Sequence, residues 1–408
     1  MTGTVRPGLV GRLFPALTEP SLRRYLSGQI ASVLGSWTQN VTLNLLVYHL
    51  SGSAAILALL NFLLYGPQLV VAPIAGSRIR SENARRVTLC VLAVSLVMTG
   101  GLITLSVLGL LGVKLILLIA LAIGISSAVE VPARQVLLLT SLRDVSLTSN
   151  AVAMNTMVYN VGRMVGPTIA GFVYPTLGPM VSFVIYALAL CFMASCVRSI
   201  RLSPETRMTK TDSSLRDAVG YVMSDAFSAR YLPILACIGL FAASYQTLVP
   251  LLADKAYHDA ARFTGMFFGC AGAGSLSSAI LLSSALGPRA SARFIAWAPW
   301  LAVVALLVLA TTNAAAASMP AFFVLGFSLT FAATSTNATI QRQCPEHVRG
   351  GLVGMYGMAY NGTMPFGYLL VGTVSEALGV RHTFGAMATV LALGVISIIA
   401  WHRVKEPR

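Results

Sequence analysis

Apolar runs of about 20 residues recur along almost the whole chain, parted by short polar intervals, and no other feature constrains the fold as much. A helix needs roughly 20 mostly apolar residues to cross a bilayer. Within lipid its backbone groups must satisfy one another, which a helix does inside one segment. The runs predict twelve such helices, over 25–48, 54–75, 87–111, 115–138, 149–173, 180–199, 231–252, 263–285, 294–311, 319–341, 350–375 and 381–402. Composition agrees: of 408 residues, 56% are hydrophobic and 10% charged, where a soluble domain carries about 25% charged residues. A single soluble core stops growing near roughly 250–300 residues, so the apolar excess faces lipid.

Basic residues set the orientation. The one long polar interval runs from about Arg198 to Arg230, between the sixth and seventh predicted helices. With the N-terminus inside, 23 of the 28 Lys and Arg residues fall on cytoplasmic segments. Lys114, Lys255, Arg262 and Arg381 fall outside, and Arg163 lies within a helix. This asymmetry satisfies the positive-inside rule and predicts a multi-pass protein of the inner (cytoplasmic) membrane with both termini cytoplasmic. The net charge of +15 then reads as topology and not as nucleic-acid binding, with anionic lipid contact as a secondary consequence. The first two dozen residues lack an apolar core ending in a small-residue cleavage site, so no signal peptide is expected. The six cysteines are scattered and form no CxxC pair, so neither a disulfide framework nor a metal site is expected. No Walker lysine motif, nucleophile elbow or zinc-ligand pattern occurs, so no cofactor is expected. The predicted organisation is a tail over 1–24, a six-helix bundle over 25–199, a cytoplasmic linker over 200–230, a second bundle over 231–402 and a tail over 403–408.

The two bundles repeat one another. Met157-Val158-Tyr159-Asn160 matches Met358-Ala359-Tyr360-Asn361 at an offset of 201. At that same offset Gly166 meets Gly367, Gly171 meets Gly372, Leu177-Gly178 meets Leu378-Gly379, and Phe183 meets Phe384. Halves duplicated in this way place a substrate site near the midplane between them and permit alternating access.

Specific motifs join this frame. The fifth predicted helix carries Gly162-x-x-x-Gly166-Pro167-x-x-Ala170-Gly171, whose small residues let backbones approach closely. Pro132-Ala133-Arg134-Gln135, the amphipathic stretch Leu215–Val222, and Gln341-x-x-x-Pro345-x-x-x-Arg349-Gly350 followed by Met364-Pro365-x-Gly367 accompany it. Together they resemble the major facilitator superfamily over nearly the whole chain, and within it the enterobactin (siderophore) and macrolide exporters. The glycine-rich stretch resembles that superfamily's antiporter motif, with Gly162, Gly166, Pro167 and Gly171 in place. The resemblance implies an all-α fold of two pseudo-symmetric six-helix bundles, a single-chain monomer, proton antiport, and a small-molecule cargo such as a drug or siderophore. One departure stands out in the gate loop after the second helix, which reads Gly76-Ser77-Arg78-Ile79-Arg80-Ser81-Glu82-Asn83-Ala84-Arg85-Arg86. The resemblance asks for an aspartate at Arg80, where Glu82 is the nearest substitute; the alternative is a basic loop that sets topology.

Charge inside a bilayer costs about 2.5–3.5 kcal/mol on insertion scales, so each such residue needs a reason. Glu130 and Arg134 share a helix face at i, i+4. Glu130 reads as a protonation site with Arg134 or Arg163 tuning it, or else as half of a structural ion pair. Arg163 continues a polar stripe through Asn155 and Tyr159. It reads as a contact for an anionic substrate or as a structural donor to a neighbouring carbonyl. Further polar residues in the spans are cavity candidates: Asn40, Asn44, Gln68, Tyr245, Gln246, Asn337, Tyr360 and Asn361. Clustered catalytic acids are absent from the spans, which argues against an enzyme. The sequence thus predicts a proton-coupled exporter, with an importer or facilitator of the same fold as the alternative.

Overall fold

The computed structural model describes residues 15–200, 215–284 and 287–405. The first residues of the expected N-terminal tail, the middle of the linker with Arg207 and Lys210, and residues 406–408 lie outside them. Among the described residues the chain is all helix, in twelve passes. We label them α1 (Pro20–Ser51), α2 (Ala54–Arg78), α3 (Ala84–Val107), α4 (Val113–Thr140), α5 (Thr148–Leu177) and α6 (Pro179–Ser199). In the second half, α7 is Ala226–Thr247 continued by Val249–Tyr257, and α8 is Ala260–Ser283. There follow α9 (Ala298–Thr311), α10 (Ala315–Gln343), α11 (Glu346–Tyr360 with Met364–Leu378) and α12 (Val380–Lys405). Eight of these are long and apolar enough to cross a membrane by that measure alone. The exceptions are α1, α5, α9 and α11. Of them α9 is short and α11 is broken, whereas α1 and α5 carry the polar residues that face the interior.

Several helices are longer or more broken than predicted. Pro67 has no N–H to give the helix, and α2 is interrupted there between Tyr65 and Gln68. Helix α11 is interrupted at Asn361–Thr363, and Pro365 stands in the first turn of its second segment, where a missing N–H is tolerated. Helix α7 widens to a π-segment over Ile238–Ala242 and tightens to a 3₁₀ segment over Ala243–Thr247. The linker helix Leu215–Ser224 buries Ala218 and Val222 against Ile340, Val348 and Leu352 of the second half.

The sequence repeat has a structural counterpart. Gly178 (φ 82°, ψ 170°) ends α5, and Gly379 (φ 80°, ψ 160°) ends α11, 201 residues later. Both lie in a region that L side chains rarely adopt. At the α1–α2 corner Gly52 is left-handed and the Ser53 hydroxyl accepts from Ile56 N. At the α7–α8 corner His258 is left-handed (φ 56°) and the Asp259 carboxylate accepts from Arg262 N. Side-chain caps of this kind are worth about 1 kcal/mol each.

The halves meet along two helix pairs, α5 with α8 and α2 with α11. Small residues make both crossings. A methyl group added at Gly171 would lie 2.8 Å from Gly265 Cα, and one added at Gly372 would lie 2.9 Å from the Ala54 carbonyl oxygen. These contacts fall toward the end of the molecule that holds the α1–α2, α5–α6, α7–α8 and α11–α12 turns, here the loop end. There a single apolar core runs through both halves, from Val47 and Leu57 to Leu252, Phe267 and Val371. Toward the opposite, tail end the buried clusters separate. Tyr25, Leu137, Tyr186 and Met193 belong to one half, and Leu232, Ile340 and Leu352 to the other. The two bundles therefore close at the loop end and diverge toward the tail end.

Candidate transport site

Two polar groups lie inside the bundles, built mainly on α1, α2, α4, α5, α7 and α11. The first is in the N-terminal half, toward the tail end. Arg134 on α4 is buried, with 4% of its surface exposed. It pairs with Glu130 one turn earlier, and among the described residues this is the one ion pair. Its Nη1 donates to Gln29 Oε1 at 2.7 Å and its Nη2 to Ser32 Oγ at 2.8 Å, both on α1. The Tyr25 hydroxyl donates to the Arg134 carbonyl oxygen at 3.3 Å. A buried arginine stays charged at any accessible pH, so the Glu130 carboxylate and these acceptors balance it. Tyr159 on α5 neighbours this group, with Glu130 and Arg134 both in electrostatic reach. It keeps 39% of its surface open. Asn155, one turn away, has a buried Oδ1 without a hydrogen-bond partner among the described residues.

The second group lies at mid-span, where the halves face each other. Asn61 of α2 donates to Asn44 Oδ1 at 2.8 Å and to Thr247 Oγ1 of the other half at 3.4 Å. Asn40 of α1 donates to the Tyr65 hydroxyl at 3.1 Å. Tyr65 stands against Tyr368 of α11, with ring centroids 5.7 Å apart, and the Tyr368 hydroxyl donates to Gln246 Oε1 at 3.5 Å. Arg163 of α5 lies over the Trp37 ring, 5.4 Å from its centroid. The sequence-selected stripe therefore divides: Tyr159 serves the Glu130–Arg134 pair, and Arg163 faces a different group. Gln68 is half-buried. Tyr245 packs on Phe268 and Phe322. Asn337 and Gln341 bond to each other at 2.8 Å on α10. The Tyr360 carbonyl accepts from Thr363 Oγ1 at 3.1 Å, and Asn361 is exposed at the α11 break.

The glycine-rich stretch of α5 explains how Arg163 reaches Trp37. A methyl group at Gly166 would lie 2.5 Å from Trp37 Cβ, so α1 and α5 touch backbone to backbone there. The Thr38 hydroxyl donates to the Gly166 carbonyl at 3.2 Å across the same crossing. Pro167 stays inside α5, and its carbonyl faces Gly265 of α8. In the gate loop, Gly76 lies near Pro132, the Arg80 N–H donates to Asn83 Oδ1 at 2.8 Å, and Arg85 donates to the Arg198 carbonyl. Arg80, Glu82 and Arg86 are exposed.

Two contacts across the loop end were not anticipated from the sequence. Glu376 of α11 caps the start of α2: its Oε2 accepts from Ala54 N at 2.8 Å, Ala55 N at 3.2 Å and Ser53 Oγ at 3.2 Å. A carboxylate is favoured at a helix N-terminus by the unsatisfied N–H groups and the dipole. Beside it, the Tyr48 hydroxyl of α1 donates to Asp254 Oδ2 of the second half at 2.8 Å. The clue in the sequence was an acid near the end of a span; the partner of Glu376 became visible only once α2 and α11 were placed together.

Comparison with known proteins points one way. Residues 14–407 match the family model described as "Transmembrane secretion effector". The chain is 29% identical over 419 residues to the multidrug efflux pump Tap of Mycolicibacterium fortuitum, covering 98% of this chain and 97% of that protein. It is 23% identical over 368 residues to the staphyloferrin A transporter of Staphylococcus aureus (strain NCTC 8325 / PS 47), covering 89% and 91%. Among solved structures it resembles the nucleoside transporter NupG (TM-score 0.71, 12% identity, 95% of this chain and 100% of that one). It also resembles an inward-facing bacterial homologue of the iron transporter ferroportin (TM-score 0.64, 13% identity, 94% and 98%). At such identities the structures speak for the fold alone.

Proposed function

Because this chain belongs to the transmembrane secretion effector family of the major facilitator superfamily, and is thus a multi-pass membrane transporter, we propose that it exports a small amphiphilic molecule, a drug or siderophore, by proton antiport. The observation that carries this reading is the pairing of a closed loop end with diverging tail-end cores around a mid-span group of polar and aromatic side chains. With the termini in the cytoplasm, as the basic residues favour, this is the conformation that admits cargo from inside. The bundles 25–199 and 231–402 then rock about the α5–α8 and α2–α11 crossings while the linker keeps them joined. A single chain holds both bundles, so the monomer is the working unit, embedded in inner-membrane lipid.

In this reading Glu130 carries the proton. As a carboxylate it balances Arg134; when it takes a proton the ion pair is lost, and Gln29 and Ser32 alone face the guanidinium. That change in balance inside the N-terminal bundle couples proton entry to its rocking. Two relatives whose names state staphyloferrin A transport and multidrug efflux support a cargo of this size and character.

The test is accumulation in cells lacking and expressing the protein, across siderophores and a panel of antibiotics. An exporter lowers the internal level of its cargo; a raised level reverses the direction and makes the protein an importer. Everted vesicles with an imposed pH gradient then test the coupling: Glu130→Gln is expected to abolish gradient-driven uptake, and undiminished uptake removes Glu130 from the proton path.

A further inference from the structure

Arg163 is the basic residue that the fold places at mid-span between the halves, and its surroundings are unusual. A guanidinium has five N–H donors and no acceptor, and a cation within the bilayer needs compensation. Arg134 has it, from Glu130, Gln29 and Ser32. Arg163 makes no hydrogen bond or ion pair among the described residues; its contact is the face of Trp37. A ring face attracts a cation but leaves its N–H edge free. Its charge reaches Tyr65 in its own half, and Tyr245, Tyr360 and Tyr368 in the other. The repeat makes the asymmetry plain: at the 201 offset Met364 stands opposite Arg163. Among the described residues the middle of the molecule thus offers one half-buried cation, aromatic walls from both halves, and no carboxylate paired with it.

We propose that the cargo is an amphiphile bearing a carboxylate, held by the free N–H edge of Arg163 while its apolar body lies among the half-buried rings of Trp37, Tyr65 and Tyr360. The planar fork of arginine matches a carboxylate in two parallel bonds. Binding would supply the missing counter-charge and bridge the halves, since Trp37 and Arg163 belong to one and Tyr360 to the other. A neutral or cationic amphiphile gains the aromatic contact and leaves the guanidinium uncompensated. This inference rests on the reading that the mid-span space receives the cargo, and sharpens it to a class of compound.

The experiment is equilibrium binding to the full chain in detergent, using three aromatic carboxylic acids of increasing ring number, each against its neutral primary amide. The readout is the ratio of the two dissociation constants. In the wild-type chain at least one acid is expected to bind about tenfold or more tightly than its amide, the order of effect that charge-assisted hydrogen bonds supply. Arg163→Gln is expected to bring that ratio to about one, and a cooperative thermal unfolding transition in detergent shows that the variant is folded. Arg163→Lys, which keeps the charge but not the fork, is expected to fall between. If no acid outbinds its amide in the wild-type chain, or if Arg163→Gln keeps the preference, the proposal is overturned. Binding at equilibrium does not depend on direction or on protons. Loss of the acid preference with export intact therefore overturns this inference alone, and loss of export with the preference intact overturns the transport reading alone.

Discussion

Gly171→Ala tests how the loop end stays shut. Gly171 sits where α5 crosses α8, and an added Cβ would stand 2.8 Å from Gly265 Cα and 3.0 Å from the Ala261 carbonyl oxygen. Ordinary contact at such a place is 3.4–4 Å, and the atoms in the way are backbone, which cannot rotate aside. The helices must then part by roughly 0.5–1 Å, in an interior packed with few voids. Overfilling of this kind costs about 1–3 kcal/mol, and that cost applies only while the two helices touch. Alanine also favours helix over glycine by about 1 kcal/mol, but α5 is helical whichever end is closed, so this term cancels. The balance between loop-closed and loop-open forms should move by about 5- to 150-fold toward the open one. Spin labels on Lys114 and Asn313, exposed near the loop end in opposite halves, report the distance between the bundles there by pulsed electron resonance. Gly101→Ala, where an added methyl group meets nothing within 4 Å, is the matched control. If Gly171→Ala leaves the distance distribution of the wild type and of the control unchanged, the wedge argument is wrong.

Other substitutions probe the remaining contacts. Gly372→Ala, at the equivalent α2–α11 crossing, should open the same mouth in the same assay, its added methyl group meeting Ala58 and the Ala54 carbonyl. Glu376→Ala removes three accepted bonds from the start of α2; it should weaken closure by about 1–2 kcal/mol, as other lost caps do, and lengthen the labelled distance. Arg134→Gln leaves Glu130 without its partner inside the bundle, at an expected cost of about 3–5 kcal/mol, visible as a lower melting temperature in detergent; an unchanged melting temperature would show the pair to be unimportant for folding.

Much of this architecture was legible in the residue order. Apolar runs give the passes, because a bilayer permits few ways to bury a backbone. The 201-residue offset also pairs Gly178 with Gly379 and Gly171 with Gly372, but that the first two share one backbone geometry and the second two make the crossings between halves emerges only in the fold. The i, i+4 spacing of Glu130 and Arg134 places them face to face because both stand on one helix. Contacts between helices are another matter. Nothing in the run Gly35-Ser36-Trp37-Thr38 separates Trp37 from a lipid-facing ring; its role appears when Gly166 lets α5 approach close enough for Arg163 to cover it. Asp254 and Glu376 look like ordinary interfacial acids until α1 meets α7 and α2 meets α11. The breaks at Pro67 and Asn361–Thr363 were missed because an apolar run continues across each, and hydropathy does not register a missing N–H.

The cap that Glu376 places on α2 reaches past the geometry of closure. Two parts of it, the carboxylate and the bare helix start, belong to opposite bundles and are released together when the mouth parts. Each is then a hydrated charge or dipole facing the medium, and small anions there can take the vacated seat on Ala54 and Ala55. The loop-end doorway should therefore be easier to hold ajar in a medium rich in such anions than in one without them, which, on the proposed reading, makes the electrolyte on that side of the membrane a participant in the cycle even though it is never carried.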